Sequence, residues 1–195
     1  MPRSICIIDG HPDPDPARLV HALADAYAEG ANEAGHRVSR IRVADLELTL
    51  LDSSAAFAEP PPEPVLSERT KISGADHLVI MFPLWLGAMP ARLRCFFEQA
   101  ARGGFFLAEP EEEGGWPRKM MSGKSAHTII TMGMPDLAFR FMMDGAGLKA
   151  LERGILGLSG FKPLRHTTLG GAGGLSPEKF IRWREEMRAL GRKGA

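Results

Sequence analysis

Three short segments hold the residue types that could do chemistry. The first reads Gly10-His11-Pro12-Asp13-Pro14-Asp15-Pro16-Ala17-Arg18, with an imidazole, two carboxylates and a guanidinium close together. It is not GxGxxG, so a dinucleotide on this turn has no support. A phosphate suits the start of the helix that follows, where free N–H groups and the positive dipole end point outward. Arg18 would add charge and donors there. A plainer reading makes Asp15 the N-cap and Pro16 the first helical residue, and both readings stand.

The second segment, Phe82-Pro83-Leu84-Trp85-Leu86-Gly87-Ala88-Met89-Pro90, puts a tryptophan among apolar residues, so polar contacts must come from the main chain. A flat aromatic ligand with polar edges suits such a place, its ring on side chains and its heteroatoms on backbone. The alternative is a capped helix entry with a hydrophobic plug. The third segment is Thr131-Met132-Gly133-Met134-Pro135. Gly133 allows close backbone approach to a planar ligand, and amides here could polarise a ring carbonyl or stabilise negative charge.

These segments need elements to hold them. Ile5–Ile8 and His77–Phe82 are continuous apolar runs of the kind buried in parallel sheets, and Thr128–Thr131 and Leu164–Leu169 read as further strands. Val38, Ile41 and Val43 fit a shorter one. Helical spacing runs from Ala17 to Ala34, with Val20, Leu23, Tyr27, Ala31 and Ala34 on one stripe and Gly35 as the stop. Further helices are expected over Val65–Ser73, Met89–Ala101, Gly147–Leu158 and Pro177–Leu190, while 44–64 reads as a surface loop ending in a proline tract. The glycines from Gly170 to Gly174 read as a flexible turn. Strands alternating with helices imply a parallel sheet covered on both faces. Ligands then bind beyond the carboxyl ends of the strands, which is where all three segments fall.

Composition bounds the rest. With 195 residues, 44% of them hydrophobic, the chain can bury a core without disulfides and is expected to be a single domain over 1–195. Lys plus Arg and Asp plus Glu balance at 24 each, which gives no reason to expect nucleic acid or an anionic membrane as partner. The basic final helix and the Glu111-Glu112-Glu113 run read as solvated surface. Cys6 and Cys95 form no CxxC pair, no apolar stretch reaches the roughly 18 residues of a membrane span, and the amino terminus lacks a signal-peptide pattern. A cytoplasmic location is expected. The stretch 102–124, with Phe105, Phe106 and Trp116, is expected to line or cover the pocket.

Two resemblances follow from the motifs. His11-Pro12-Asp13 resembles the His-Pro-Asp-Asp motif of zinc-dependent deacetylases of N-acetylglucosaminyl derivatives. Here Pro14 replaces the second aspartate, and His21, His36, His77, His127 and His166 show no close pairing, whereas a zinc site needs three convergent ligands. The second resemblance covers nearly the whole chain. Asp9-Gly10-His11-Pro12, Phe82-Pro83-Leu84-Trp85 with Met89-Pro90-Ala91, Thr131-Met132-Gly133-Met134, and Leu148-Lys149-Ala150-Leu151-Glu152-Arg153 before Ser159-Gly160-Phe161 carry it. In that order and spacing they resemble the flavodoxin-like NAD(P)H dehydrogenase (quinone) family, which includes small FMN reductases and ancillary oxidoreductases of potassium efflux systems.

That resemblance implies a flavodoxin-like three-layer sandwich, with a five-stranded parallel sheet of order 2-1-3-4-5. It implies a homodimer with the active site near the subunit interface, and a flavin held without a covalent bond. The flavin phosphate would lie on the first segment, at His11, Ala17, Arg18 and Leu19. The ring would lie between Pro83, Leu84, Trp85 and Leu86 on one side and Thr131, Met132, Gly133 and Met134 on the other. NAD(P)H would reduce the flavin, and a quinone or similar acceptor would then reoxidise it in a ping-pong scheme. FMN is favoured over FAD because little chain follows the last helix to enclose an adenosine.

Two departures stand against the family pattern. Its larger members place a tyrosine and a histidine after the third segment, where this chain has Phe139 and Ala146. The first segment has Pro14, Asp15, Pro16 and Arg18 where small hydroxyl or amide residues are usual. Prolines remove N–H donors and a carboxylate repels phosphate. These departures keep open a non-catalytic regulatory or assembly subunit as the alternative, with the deacetylase third.

Overall fold

A computed structural model describes residues 1–110 and 115–195; the Glu111-Glu112-Glu113 run lies outside the described residues. In chain order the elements begin with β1 (Ser4–Asp9), α1 (Leu19–Glu33), β2 (Arg37–Arg42), α2 (Ser54–Ala58) and α3 (Val65–Ser73). Next come β3 (His77–Pro83), α4 (Ala91–Ala101), and the short strands β4 (Leu107–Ala108) and β5 (Arg118–Lys119). The chain continues through β6 (Ser125–Met132), α5 (Asp136–Met142), α6 (Ala146–Leu151), a π-helical stretch over Glu152–Gly157, β7 (Leu164–Gly170) and α7 (Pro177–Lys193).

The main sheet has the order β2-β1-β3-β6-β7 with every pair parallel. Counted among its own five strands this is 2-1-3-4-5, as expected. The central strands β3 and β6 are buried on both faces, which is what their continuous apolar runs require. Alternate residues feed two separate cores. Cys6, Ile8, Leu78, Ile80 and Phe82 meet α3, α4 and α6 through Ile72, Leu93, Phe96 and Leu148. Ile5, Ile7, Val79 and Met81 meet α1 and α7 through Leu23, Tyr27, Trp183 and Met187. The result is three layers.

Close approaches fix how the helices sit. A Cβ on Gly30 would lie 2.0 Å from the Arg188 carbonyl oxygen, and one on Gly191 would lie 2.0 Å from that of Tyr27. Glycine at both positions lets α1 and α7 touch backbone to backbone.

Several boundaries differ from the expectation. The first helix starts at Leu19 with Arg18 at its N-cap, so neither Asp15 as cap nor Pro16 as first helical residue holds. Asp15 instead closes a turn: its Oδ1 accepts the Ala17 N–H, and its carbonyl accepts the Arg18 N–H. Within the expected stripe Val20, Leu23, Tyr27 and Ala31 are buried, but Ala34 caps the helix in solvent. Residues 44–64 contain α2, whose N-cap Ser53 accepts the Ala56 N–H. A helix, α5, begins at Asp136, directly after the third segment ends at Pro135. Gly147–Leu158 is α6 followed by the π-helical stretch, and Ala172–Gly174 forms a 3-10 turn. In the 102–124 stretch Phe106 and Met121 join the core, while Trp116 stays exposed. With Phe57 and Ile155, Phe106 lines a separate cavity of about 210 Å3.

Candidate functional site

β1 delivers Asp9 fully buried to its carboxyl end. One Asp9 oxygen, Oδ2, meets His21 Nδ1 at 2.6 Å and an Arg40 guanidinium nitrogen, while the other lies 3.4 Å from the His11 N–H. Arg40 also pairs with Asp25 on α1. A buried carboxylate this close to a guanidinium and an imidazole ties β1, α1 and β2 together beneath the first segment. Gly10 follows. Its N–H donates to the Met81 carbonyl at 2.8 Å, and a Cβ would sit 2.6 Å from Leu93 Cδ2, so the chain leaves the sheet flat against α4.

His11 is turned inward, 8% exposed. His21 Nε2, 2.9 Å away, already occupies the Asp13 carbonyl, and the Asp13 N–H donates to His11 Nδ1 at 3.1 Å. His11 Nδ1 also lies 3.2 Å from the Asp13 carbonyl, and its Nε2 has no partner among the described residues. Burial holds the His11 pKa below the ordinary histidine value, with the neighbouring His21 acting in the same direction. Its ring lies 6.1 Å from Trp85, edge to face, so the first and second segments touch.

The second segment is a tight turn. Trp85 and Ala88 exchange both backbone hydrogen bonds at 3.0 Å, around Leu86 at φ 49° and Gly87 at φ 79°. Leu86 is a non-glycine residue in left-handed backbone, a conformation that costs about 1–2 kcal/mol. Such strain is kept where the surroundings fix it. Here α6 is one restraint, because a Cβ on Gly147 would come 2.1 Å from the Gly87 carbonyl oxygen. The Leu84 N–H donates to the Thr131 carbonyl at 2.7 Å, which joins the second segment to the third. Gly133 is exposed, with nothing within 4 Å of where its Cβ would be.

All three segments thus meet beyond the carboxyl ends of β1, β3 and β6. Their side chains divide. Trp85 is half exposed over the crevice mouth, Leu86 points wholly outward, and Leu84, Pro83 and Met134 are partly buried. Met132 turns into the core beside Phe139, and Leu19 packs partly against the α1 core, so both could offer a crevice only backbone. Thr131 is buried and Ala17 exposed. Phe139 is itself in the core, 1% exposed.

Arg18 is engaged by the loop around it. Its Nε and a terminal nitrogen lie 2.8 Å and 2.6 Å from Asp13 Oδ2, and Asp15 is 3.5 Å away. The Asp15 N–H, then Arg18, hold the Asp13 carboxyl below the usual carboxylate range. Prolines supply no N–H, and those of Asp13, Asp15, Ala17 and Arg18 are all taken within the loop. Two backbone donors are left over among the described residues, the Leu19 and Val20 N–H at the start of α1, with the unpartnered His11 Nε2 near them. The Leu86, Gly87, Gly133 and Met134 N–H groups are likewise unclaimed there.

A cavity of about 640 Å3 opens beside the third segment, lined by Leu137, Phe139, Phe141, Arg153, His166 and Thr168 among others. His166 Nδ1 lies 3.1 Å from a Glu152 oxygen, and the Thr168 hydroxyl donates to Asp136. Sequence reading missed this wall, although the apolar residues Phe139, Phe141, Met142 and Met143 right after Pro135 were a visible signal. Other chemistries have less to build on. Cys6 is pushed up to about 12 by burial, and burial also raises Cys95. Among the described residues no three His, Cys, Asp or Glu side chains converge as a metal site needs. No helix of those residues is long and apolar enough to cross a membrane.

Comparison with known proteins accords with this geometry. A family model described as flavodoxin-like fold matches residues 3–190. A ribosyldihydronicotinamide dehydrogenase-like protein of Penicillium crustosum is 31% identical over 157 residues, 66% of this chain; the match spans 57% of that relative's length. Among solved structures, an NAD(P)H:quinone oxidoreductase from Methanothermobacter marburgensis superposes with a TM-score of 0.81 at 20% identity, covering 100% of both chains. An FMN-dependent NADH-azoreductase from Bacillus anthracis, solved with FMN, gives 0.74 at 16% identity, covering 98% of each.

Proposed function

The chain belongs to the family of flavodoxin-like fold, matched over residues 3–190, and from that premise we propose that it is a flavin-dependent NAD(P)H oxidoreductase. Its acceptor is a quinone or a similar small aromatic, and its flavin is FMN. The observation that carries this reading is the convergence of three segments at the carboxyl ends of the strands, with His11 against Trp85 and Leu84 bonded to Thr131. The names of the Methanothermobacter and Bacillus structures support the cofactor and the donor.

The residues present fit such a group. Trp85 offers an aromatic wall, Gly133 leaves open space opposite, and the unclaimed N–H groups of Leu86, Gly87, Gly133 and Met134 can meet ring heteroatoms. The Leu19 and Val20 N–H groups, and His11 in the tautomer with the proton on Nε2, can meet a phosphate at the start of α1. FMN supplies the hydride chemistry, and the chain supplies binding, orientation and electrostatics. Phe139 in the core and Ala146 at the head of α6 leave both family proton-relay positions without a titratable group, so backbone amides carry the stabilisation of the reduced ring.

The whole of 1–195 acts as one unit in this reading, and it works as a homodimer. The exposed Leu86, Leu137, Phe141 and Met142 beside the site support a covering subunit. Two unbridged, buried thiols suit a reducing cytoplasm. The self-satisfied first loop favours a second reading, a non-catalytic subunit of the same fold. Titration with FMN, followed by visible absorbance and flavin fluorescence, separates the two. Saturable binding is expected, and Arg18→Ala should weaken it about tenfold, the equivalent of about 1.4 kcal/mol. That change removes a cation and unmasks the Asp13 charge together. A protein that takes up no flavin overturns the enzyme reading, and an Arg18→Ala affinity equal to wild type moves the phosphate off the first loop.

A further inference from the structure

The amino-terminal ends of the strands, opposite the crevice, hold a second cluster that the oxidoreductase reading does not use. A cavity of about 300 Å3 lies there, lined by Arg3, His77, Ser125, Arg165, Lys193 and Ala195 among others. Its nitrogen-bearing side chains come from four places: the residue before β1, the first residue of β3, the second residue of β7 and the last turn of α7. Parallel register brings them together, since His77 pairs with Ser125, and the adjacent His127 pairs with Arg165.

No acidic side chain among the described residues neutralises the charge here. Among the described residues Arg3, Arg165 and Lys193 have no carboxylate within ion-pair distance. Arg3 donates to the Gly194 carbonyl at 2.7 Å, a neutral partner. The Asp76 carboxylate, next to His77 in the chain, accepts the Ser4 N–H at 2.9 Å through Oδ2. Ala195 contributes its carbonyl to the Tyr27 hydroxyl. His77 is 2% exposed and lines this cavity; its Nδ1 meets Ser125 Oγ at 2.7 Å, and its buried Nε2 has no partner. His127 beside it bonds Thr167 through Nε2 and faces the Ala195 backbone. A buried polar nitrogen is normally satisfied, so the unpartnered His77 Nε2 behind three cations without a carboxylate partner marks a place built for a further group.

We propose that this pocket binds a small oxyanion of the phosphate type, held by Arg165, Lys193 and Arg3, with His77 Nε2 as a buried donor at its back. Guanidinium groups meet tetrahedral oxyanions through paired N–H donors, and a lysine adds a point charge. Binding selects the tautomer in which the Ser125 hydroxyl donates to His77 Nδ1 and the imidazole proton lies on Nε2, facing the anion. The site lies at the far end of the sheet from the flavin crevice, so it stands whether or not the chain binds flavin. The anion is either free phosphate or the phosphoryl group of a metabolite, and the volume admits a phosphoryl group with a small substituent.

The test is calorimetric titration of the whole protein with inorganic phosphate at low ionic strength, against sodium chloride of equal ionic strength. Glycerol 3-phosphate and AMP serve as further arms. Saturable phosphate binding is expected, weakened at least tenfold in Arg165→Gln and in Lys193→Gln. Both residues are surface-exposed, so both variants should fold. Imidazole NMR should show the His77 titration midpoint moving upward on phosphate addition. Tighter binding of glycerol 3-phosphate than of phosphate assigns the site to a metabolite; equal or weaker binding assigns it to the free ion. No saturable binding overturns the proposal. So does binding that Arg165→Gln and Lys193→Gln leave intact but Arg18→Ala weakens, because that places phosphate on the first loop.

Discussion

His77 sits buried next to Arg3, His127 and Arg165, and burial first, then these neighbours, lower its pKa to about 4. The folded chain therefore takes up this proton only near pH 4, whereas the unfolded chain takes it up near 6.5. Between those values the unfolded state binds more protons, so stability is full above about pH 6.5 and is lost as the pH falls through 4. Burial moves His11 and His127 in the same direction. The unfolding free energy from urea titration should fall by roughly 3 kcal/mol from this group alone between pH 7 and 4. In His77→Gln that slope should flatten, and an unchanged slope would show that His77 does not cause it.

Other single-residue features were beyond sequence reasoning. Asp9, His21 and Arg40 lie on three elements, and nothing in their spacing announces that they meet in the core. The pairing of Arg18 with Asp13 was likewise hidden, since a loop with alternating prolines has no period from which side-chain directions can be read. Trp85 and Gly133 were legible. Their types, next to strand ends, already specified an aromatic wall and an open backbone.

At the level of elements the strands were the most legible, because a run buried on both faces leaves a continuous β-branched or apolar signature that needs no partner to be seen. α5 was not, as a seven-residue helix after proline has too few turns to show periodicity. α1 was placed correctly in kind but two residues early, because the Asp15 turn, set by side-chain bonding, delays its start. Its contact with α7 gives a sharp expectation. Gly30→Ala should raise intrinsic helix propensity by about 1 kcal/mol. Against that, the new methyl would sit 2.0 Å from the Arg188 carbonyl oxygen and must push two packed backbones apart, a cost of up to about 3 kcal/mol. The clash wins. Calorimetry should show Tm lower by roughly 5 °C. Gly154→Ala is the control, because nothing lies within 4 Å of its Cβ position. An unchanged Tm for Gly30→Ala would contradict the backbone contact.

The whole molecule has two poles set by one parallel sheet. At the carboxyl end the strand order brings the loops after β1, β3 and β6 into one crevice, and this much was readable from the alternation of elements. At the amino end the same parallel register gathers His77, His127 and Arg165 with Arg3 and Lys193, which the chain's zero net charge concealed. Charge balance over a chain says nothing of balance over a face. The catalytic claim rests on the crevice, and one measurement tests it most directly. The protein is loaded with FMN, freed of unbound flavin, and mixed anaerobically with NADPH and, separately, NADH while the visible spectrum is followed. The account predicts that at least one nicotinamide bleaches the flavin bands much faster than it bleaches free FMN, and that added benzoquinone restores them. Protein-bound flavin that neither nicotinamide reduces would contradict it and leave a flavodoxin-like fold without oxidoreductase activity.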